Sequence, residues 1–245
     1  MRPGMDRSPE MGSIRRAAEA LQLQLDAAQA ELLLAYSSLL QERAIPLGMV
    51  SRSDSGRLLE RHVLDSLRAA PIVRDLGAAR VCDLGSGAGL PGVVLAVALA
   101  QVDFVLTEAR TRRAAFLELA VERLGLGNAT VHAGRVEDLD LRFDVCTARA
   151  FGPMAQSWEA ARRMLDPGGA LVFFAGVTER TPDALPGAAI LRIAPGAAPP
   201  GPGEPTAAAS PPAEAVGDEG GPSPAAGSSA RRALASGGDL VIITA

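Results

Sequence analysis

The residues best suited to chemistry form a short glycine-rich stretch between Asp83 and Gly92. Gly85, Gly87 and Gly89 lie two residues apart and directly follow an apolar run. Glycine has no Cβ and adopts positive φ easily, so a ligand can approach the backbone of such a loop closely. Asp83, at the end of the apolar run, is suited to ordering the loop beside a cationic ligand. The stretch therefore predicts a ligand-binding loop between a strand and a helix.

Two classes of ligand are compatible with this loop. The spacing Gly87-x-Gly89-x-x-Gly92 satisfies the dinucleotide-binding fingerprint, and Glu108 lies at about the expected distance downstream for an acid that binds ribose hydroxyls. The spacing acidic-x-Gly-x-Gly-x-Gly, which begins at Asp83, is instead typical of S-adenosylmethionine-dependent methyltransferases. An acid after the second strand binds ribose in that class too, so only Asp83 favours the methyltransferase. A glycine-rich turn that binds no ligand is a third interpretation.

Alternating strand and helix patterns surround the loop and predict the elements that position it. Strands are expected at 80–84, 102–107, 129–132, 143–147, 170–174, 189–193 and 239–244. Helices are expected at 93–100, 112–124 and 153–165, the last of them ended by Asp-Pro-Gly-Gly at 166–169. This alternation is typical of an α/β fold with a mostly parallel sheet and crossover helices.

The chain from residue 13 to about residue 70 has helical patterns. Apolar residues between Leu21 and Leu39 recur at spacings of three and four, which predicts one helix with a single buried face and Ser13 as its N-cap. A second helix is expected from residue 54 or 55 to about residue 70. His62 and Asp65 lie on one face of it, where packing against the sheet is the alternative to a functional role.

Four segments follow from these patterns. Residues 1–12 are expected to be a disordered tip, 13–75 a helical section, and 76–194 with 238–245 the α/β domain. Residues 195–237 are expected to be a disordered insertion, because 30 of the 36 residues from 195 to 230 are Ala, Gly, Pro or Ser. Such a composition cannot bury enough apolar surface to offset the entropy of ordering.

Composition limits the class of protein. The net charge of −4 gives no global attraction to nucleic acid, and all 24 basic residues are arginine. Two cysteines are a poor disulfide scaffold, which favours a reduced cytoplasmic protein. We read no signal peptide at the N-terminus and no membrane span, and we expect a monomer without a metal site.

Four patches in order resemble the bacterial glucose-inhibited division protein B family, also called ribosomal RNA small-subunit methyltransferase G. Arg61–Leu67 is similar to the Arg-His-x-x-Asp-Ser helix of that family, and Asp83–Gly92 to its glycine loop with the Leu-Pro-Gly ending. Gly134–Glu137 is similar to its Gly-Arg-x-Glu turn, and Arg149–Phe151 to its Arg-Ala-Phe segment. The combination is far more specific than any glycine motif alone.

The resemblance implies a Rossmann-like class I methyltransferase, with an N-terminal helical extension and a seven-stranded sheet whose last two strands form an antiparallel hairpin. It implies S-adenosyl-L-methionine as cofactor and methylation of N7 of a guanine in 16S ribosomal RNA. A divergent methyltransferase that acts on another RNA or a small molecule, or a non-catalytic nucleotide-binding relative, are the alternatives.

The resemblance also implies roles for individual residues. Gly85 and Leu90 would line the methionine and ribose part of the site, Glu108 would bind the ribose, and Val136 and Glu137 would face the adenine. Arg149 would lie at the methyl end and is the candidate catalytic residue, although an ion pair with Glu108 or Glu137 is an alternative role. The expected cofactor-binding residues are Asp83, Gly85, Gly87, Leu90, Glu108, Val136, Glu137 and Arg149.

Overall fold

A seven-stranded sheet forms the centre of the molecule in the computed structural model, which describes residues 8–177, 182–196, 234 and 237–244. Its strand order is β3-β2-β1-β4-β5-β7-β6. Strands β1 to β5 are parallel to their neighbours, whereas β7 is antiparallel to both β5 and β6. The strands are β1 (Arg80–Leu84), β2 (Asp103–Thr107), β3 (Ala129–His132), β4 (Phe143–Arg149), β5 (Leu165–Phe174), β6 (Ala189–Ile193) and β7 (Leu240–Thr244).

Seven α-helices of the described residues cover this sheet or extend it at the N-terminus. They are α1 (Ser8–Ala20), α2 (Ala27–Leu39), α3 (Asp65–Leu67), α4 (Ala70–Asp75), α5 (Gly92–Ala98), α6 (Thr111–Leu124) and α7 (Met154–Ala161). π-Helical turns span Leu40–Ala44 and Leu59–Leu64, and 3₁₀ turns span Arg52–Asp54 and Val136–Asp138. In the part of the chain that is described, no helix is long and apolar enough to span a membrane.

The central strands are apolar on both faces because helices cover both sides of the sheet. In β1, Val81 and Cys82 are fully buried. Cys82 is in register with Cys146 of β4, and both thiols are free. The two cysteines thus act as small buried apolar residues in adjacent strands.

The single N-terminal helix predicted from Ser13 is wrong: α1 and α2 are separate helices. Helix α1 ends at Ala20, and Asp26 starts α2, since its side chain accepts a hydrogen bond from the backbone of Gln29 while the Gln29 side chain accepts one from the backbone of Asp26. This reciprocal cap outweighs the continuous apolar spacing. The single helix expected from residue 54 or 55 is likewise replaced by the short turns and helices of residues 52–75.

Two further boundaries differ from the expectation. Helix α1 begins at Ser8, so residues 8–12 are helical rather than a disordered tip, and residues 1–7 lie outside the described chain. Strand β5 begins at Leu165, because this residue already pairs with Phe143, and it includes the expected Asp-Pro-Gly-Gly turn. Most of the expected 195–237 insertion also lies outside the described residues.

The parallel strands bring the motifs together. The glycine loop follows β1, Glu108 follows β2, the 136–138 turn follows β3, and Arg149 ends β4. Carboxyl ends of neighbouring parallel strands meet at one edge of a sheet, where ligands of open α/β folds bind.

Candidate functional site

The glycine loop is held against the end of β2 by one side chain. The Thr107 hydroxyl accepts a hydrogen bond from the backbone N–H of Gly85 at 2.9 Å and donates to the carbonyl of Asp83 at 2.9 Å. The Thr107 carbonyl accepts from Ser86 N–H at 2.7 Å. Three bonds to one residue fix the start of the loop.

Asp83 orders the loop from beneath and is not among the residues that line the cavities described below. Its carboxylate accepts hydrogen bonds from the backbone N–H of Gly92 at 3.1 Å and from the hydroxyl of Thr147 at 2.7 Å. The side chain is buried, and this burial raises its pKa from 3.8 to about 6. The geometry thus gives Asp83 the loop-ordering part of its expected role.

We expect Asp83→Asn to change how stability depends on pH. Between pH 4 and 6 folded Asp83 still binds a proton that the unfolded chain has released, so the wild-type protein loses stability as pH rises through this range. With about 1.4 kcal/mol per pKa unit, the free energy of unfolding of wild type relative to Asp83→Asn should fall by up to about 3 kcal/mol between pH 4 and pH 7. Urea unfolding at several pH values measures it.

If the difference in unfolding free energy between wild type and Asp83→Asn did not change across this pH range, the burial of an ionisable Asp83 would be contradicted. Asp103→Asn is the matched control, since Asp103 is exposed at the start of β2 and burial gives no reason for such a change there.

A cavity of about 380 Å³ lies beside the loop, and we call it the donor cavity. It brings together four of the expected residues, Gly85, Glu108, Val136 and Glu137. The buried Glu108 carboxylate accepts hydrogen bonds from the N–H of Gly87 at 3.1 Å and of Arg110 at 2.8 Å. The other lining residues are Thr107, Ala109, Arg110, Arg113, Gly134, Arg135, Ala150, Phe151 and Gln156.

Gly87 and Leu90 are placed differently from Gly85. Gly87 contributes its backbone N–H to Glu108, whereas Leu90 is half-buried and packs against the hydrophobic core. Neither residue is among those that line the donor cavity.

Gly85 must be glycine for two reasons. Its φ is +60°, and a Cβ there would lie 2.6 Å from Cδ2 of Phe151, so the ring packs directly on the loop. We expect Gly85→Ala to push Phe151 into the donor cavity and to weaken ligand binding at least about tenfold. A tenfold loss of affinity requires only about 1.4 kcal/mol of binding free energy.

Gly125→Ala is the matched control for this prediction. Gly125 has a φ of +63°, and no atom of the described residues lies within 4 Å of the point that its Cβ would occupy. An alanine there therefore has the same unfavourable backbone conformation as at position 85, but its Cβ contacts no neighbouring side chain. Calorimetric titration with the ligand proposed below, alongside thermal unfolding, compares the two variants. Equal ligand affinity in both would show that the contact with Phe151 does not matter.

Arg149 lies in a second cavity, of about 220 Å³, which we call the acceptor cavity. The alternative role, an ion pair with Glu108 or Glu137, is wrong, because the guanidinium instead lies 3.2 Å from the carboxylate of Asp65. It also donates to the Ser66 hydroxyl and the Arg61 carbonyl, both at 3.2 Å. The cavity is lined by Arg61, His62, Asp65, Arg149, Ala150, Phe174, Ala175, Gly176, Val177, Gly237 and Gly238.

Ala150 joins the two cavities, since it lines both. Its φ of +55° is unusual for a residue with a Cβ. This conformation turns the chain so that Arg149 faces the acceptor cavity while Phe151 lines the donor cavity. Strained residues of this kind cluster at functional sites.

Sequence reasoning missed the residues that support the loop from other elements. Thr107 and Thr147 are strand residues that carry no motif, and the apolar spacing of α2 marks Tyr36 only as part of a buried helix face. The Tyr36 hydroxyl donates to the Ala88 carbonyl and so ties α2 to the glycine loop.

Within the described ranges, no group of three His, Cys, Asp or Glu side chains could hold a metal ion.

Fold and site together define a class of protein. Dinucleotide-binding Rossmann folds have parallel strands in the order 3-2-1-4-5-6, whereas here an antiparallel β7 is inserted between β5 and β6. Two solved structures show this fold. A putative O-methyltransferase from Klebsiella pneumoniae has a TM-score of 0.52 and 15% sequence identity, and the match covers 94% of this chain and 93% of that chain. An O-methyltransferase from Bacillus cereus has a TM-score of 0.51 and 15% sequence identity, and the match covers 94% of this chain and 96% of that chain. The chain has the class I methyltransferase fold.

The particular family follows from the sequence. The model of the GidB family, rRNA small subunit methyltransferase G, matches residues 29–182, and the chain belongs to this family. The ribosomal RNA small subunit methyltransferase G of Stenotrophomonas maltophilia (strain K279a) is 40% identical over 155 residues, 62% of this chain and 72% of that protein. The protein of that name from Ralstonia nicotianae is 37% identical over 172 residues, 67% and 77% of the two chains.

Proposed function

We propose that this protein transfers a methyl group from S-adenosyl-L-methionine to N7 of a guanine in 16S ribosomal RNA, as a monomer in the cytoplasm. The observation that carries the proposal is the pair of cavities that share Ala150. One of them has the glycine backbone and carboxylates suited to a cationic nucleoside. The other has an arginine and an aromatic ring suited to a base.

The donor cavity fits S-adenosylmethionine chemically. Its volume of about 380 Å³ lies within the usual range of small-molecule sites. Glu108 accepts two backbone hydrogen bonds, and a carboxylate has about four acceptor positions, so acceptors remain for ribose hydroxyls. Glu137 adds a second carboxylate, which is exposed, and Val136 adds a buried apolar contact for an adenine ring. When bound, the cofactor would supply an electrophilic methyl group on a sulfonium.

The chain has little proton chemistry to perform on such an acceptor. Guanine N7 carries a lone pair and no proton, so its methylation requires no general base. Catalysis then depends on positioning the acceptor against the donor cavity and on excluding water. Arg149 is placed for this, because its guanidinium lies 5.7 Å from the centroid of the Phe174 ring and is fixed by Asp65. Members of the family share a name that specifies small-subunit ribosomal RNA, which supports the RNA substrate.

A deletion strain tests the proposal. We expect its 16S ribosomal RNA to lack one 7-methylguanine that the parent contains, and a plasmid copy of the gene to restore it. Mass spectrometry of RNA fragments locates the modification. An unchanged methylation pattern in the deletion strain would contradict the ribosomal substrate and leave another RNA or a small molecule as acceptor.

A further inference from the structure

His62 lines the acceptor cavity and is held by a neighbouring carboxylate. Its Nε2 lies 3.0 Å from Oδ2 of Asp54, and only 16% of the side chain is exposed. The other oxygen of Asp54, Oδ1, accepts from Nη1 of Arg61 at 3.0 Å. Asp54 itself is buried. The three side chains form a hydrogen-bonded group, and His62 is among the residues that line the cavity.

The hydrogen bond with Asp54 sets the tautomer of His62. Burial, followed by the nearby Arg149 cation, lowers the pKa of His62, so the imidazole is neutral at pH 7. A carboxylate can only accept, and Nε2 must therefore carry the proton. Nδ1 is then a hydrogen-bond acceptor. No group among residues 8–177, 182–196 and 237–244 donates to it.

A guanine in the acceptor cavity would present its edges in a defined order. N7 must face Ala150, where the two cavities meet, whereas His62 lines only the acceptor cavity and not the donor cavity. O6 and then N1–H follow N7 around the base. The guanidinium of Arg149, next to Ala150, has five N–H donors and three partner oxygens among the described residues, so a donor remains for O6.

We propose that Nδ1 of His62 accepts a hydrogen bond from N1–H of the target guanine, and that Asp54 acts as a positioning residue that fixes the tautomer required. This inference rests on the proposed function and assigns the acceptor specificity within it. Adenine has an acceptor at N1, which would face the acceptor Nδ1 and leave both unpaired. Sites built to pair a polar group reject an analogue that lacks the partner much more strongly than apolar pockets do.

Asp54→Asn separates this role from a structural one. The amide of an asparagine at position 54 can still accept from Arg61 through Oδ1, but its Nδ2 donates to Nε2 of His62 and so moves the imidazole proton to Nδ1. The group keeps its hydrogen bonds, while Nδ1 changes from acceptor to donor. His62→Gln is the companion variant, because its terminal amide can still reach Asp54 but supplies nothing at the position of Nδ1.

The experiment uses reconstituted small subunits whose RNA carries guanosine or adenosine at the methylated position. Methyl incorporation gives kcat/KM for each base. The wild-type protein should prefer guanosine by at least about 100-fold, as expected for an unpaired buried acceptor. Asp54→Asn and His62→Gln should each lower this ratio about tenfold or more. Asp54→Asn should also raise the absolute rate on adenosine, whose N1 can accept from the new donor.

Controls distinguish failure of this inference from failure of the proposed function. Affinity for S-adenosylmethionine, measured by calorimetry, should be unchanged in both variants, and Asp103→Asn should keep the wild-type base preference. If both variants keep the wild-type ratio of kcat/KM for guanosine to kcat/KM for adenosine, whether or not their activity falls, the assignment of His62 is wrong. If the wild-type protein methylates neither base, the proposed function fails and the inference fails with it.

Discussion

Glu108→Gln should lower the affinity for S-adenosylmethionine about 100-fold, which corresponds to about 2.7 kcal/mol. Both oxygens of Glu108 accept from backbone N–H groups, those of Gly87 and Arg110. A glutamine would place its NH₂ group against one of these donors, so the loop would lose a bond and gain a repulsive contact. The substitution also removes a negative charge from the wall of the cavity proposed to hold a cation. Isothermal titration calorimetry measures the effect.

The exposed Glu118 of α6 provides the matched control. Glu118→Gln removes the same charge from the helix that follows Glu108 and should leave the affinity within about twofold, as is usual for surface substitutions. If Glu108→Gln also bound the cofactor within about threefold of wild type, Glu108 would not be a ligand of the nucleoside.

Arg149→Met should have the opposite pattern, with kcat at least about 100-fold lower and cofactor affinity within about threefold of wild type. Arg149 lines the acceptor cavity and does not line the donor cavity. Loss of one preorganised donor at a reacting group typically lowers kcat by a factor of about 10² to 10³. The fold should survive, because Asp65 keeps its 2.9 Å pair with Arg68. Steady-state methyl transfer to small subunits from the deletion strain measures kcat.

Arg162→Met is the control for this substitution. Arg162 pairs with Glu159 on an exposed helix surface, with 52% of each side chain accessible, and its loss should leave kcat unchanged. A strong loss of cofactor affinity in Arg149→Met would instead place Arg149 at the cofactor, as the family resemblance alone implies. The paired results for Glu108 and Arg149 thus separate the donor cavity from the acceptor cavity.

The sequence predicted those parts of the site that lie in contiguous motifs. The glycine loop, the acid after β2 and the 136–138 turn all follow strands whose apolar runs are easy to identify, and Gly85, Glu108, Val136 and Glu137 do line one cavity. The antiparallel end of the sheet followed from the family resemblance and is confirmed. The assignment of these residues to the cofactor stays a prediction.

Side-chain pairs between residues far apart in the chain could not be predicted from the sequence. The ion pair between Arg149 and Asp65 joins residues 84 positions apart, and no local pattern favours Asp65 over Glu108 or Glu137 as the partner. Likewise, nothing local shows that Asp83 binds Thr147 rather than a ligand. These pairings depend on which strands are neighbours and on how the N-terminal helical section packs over the end of β4.

The break between α1 and α2 does have a local signal in the sequence. Asp26 and Gln29 have the spacing of a reciprocal helix cap, and they mark the start of α2 despite the continuous apolar spacing. The break matters for the site, because α2 carries Tyr36 to the Ala88 carbonyl of the glycine loop.

The most direct measurement combines both cavities in one reaction. Purified protein is incubated with small subunits from the deletion strain and S-adenosylmethionine labelled in its methyl group, and the RNA is digested to nucleosides. We predict label in 7-methylguanosine, one per subunit, with an initial rate about 50-fold lower for the Glu108→Gln protein at a cofactor concentration near the wild-type dissociation constant. Label in a different nucleoside, or no label with the wild-type protein, would contradict the account.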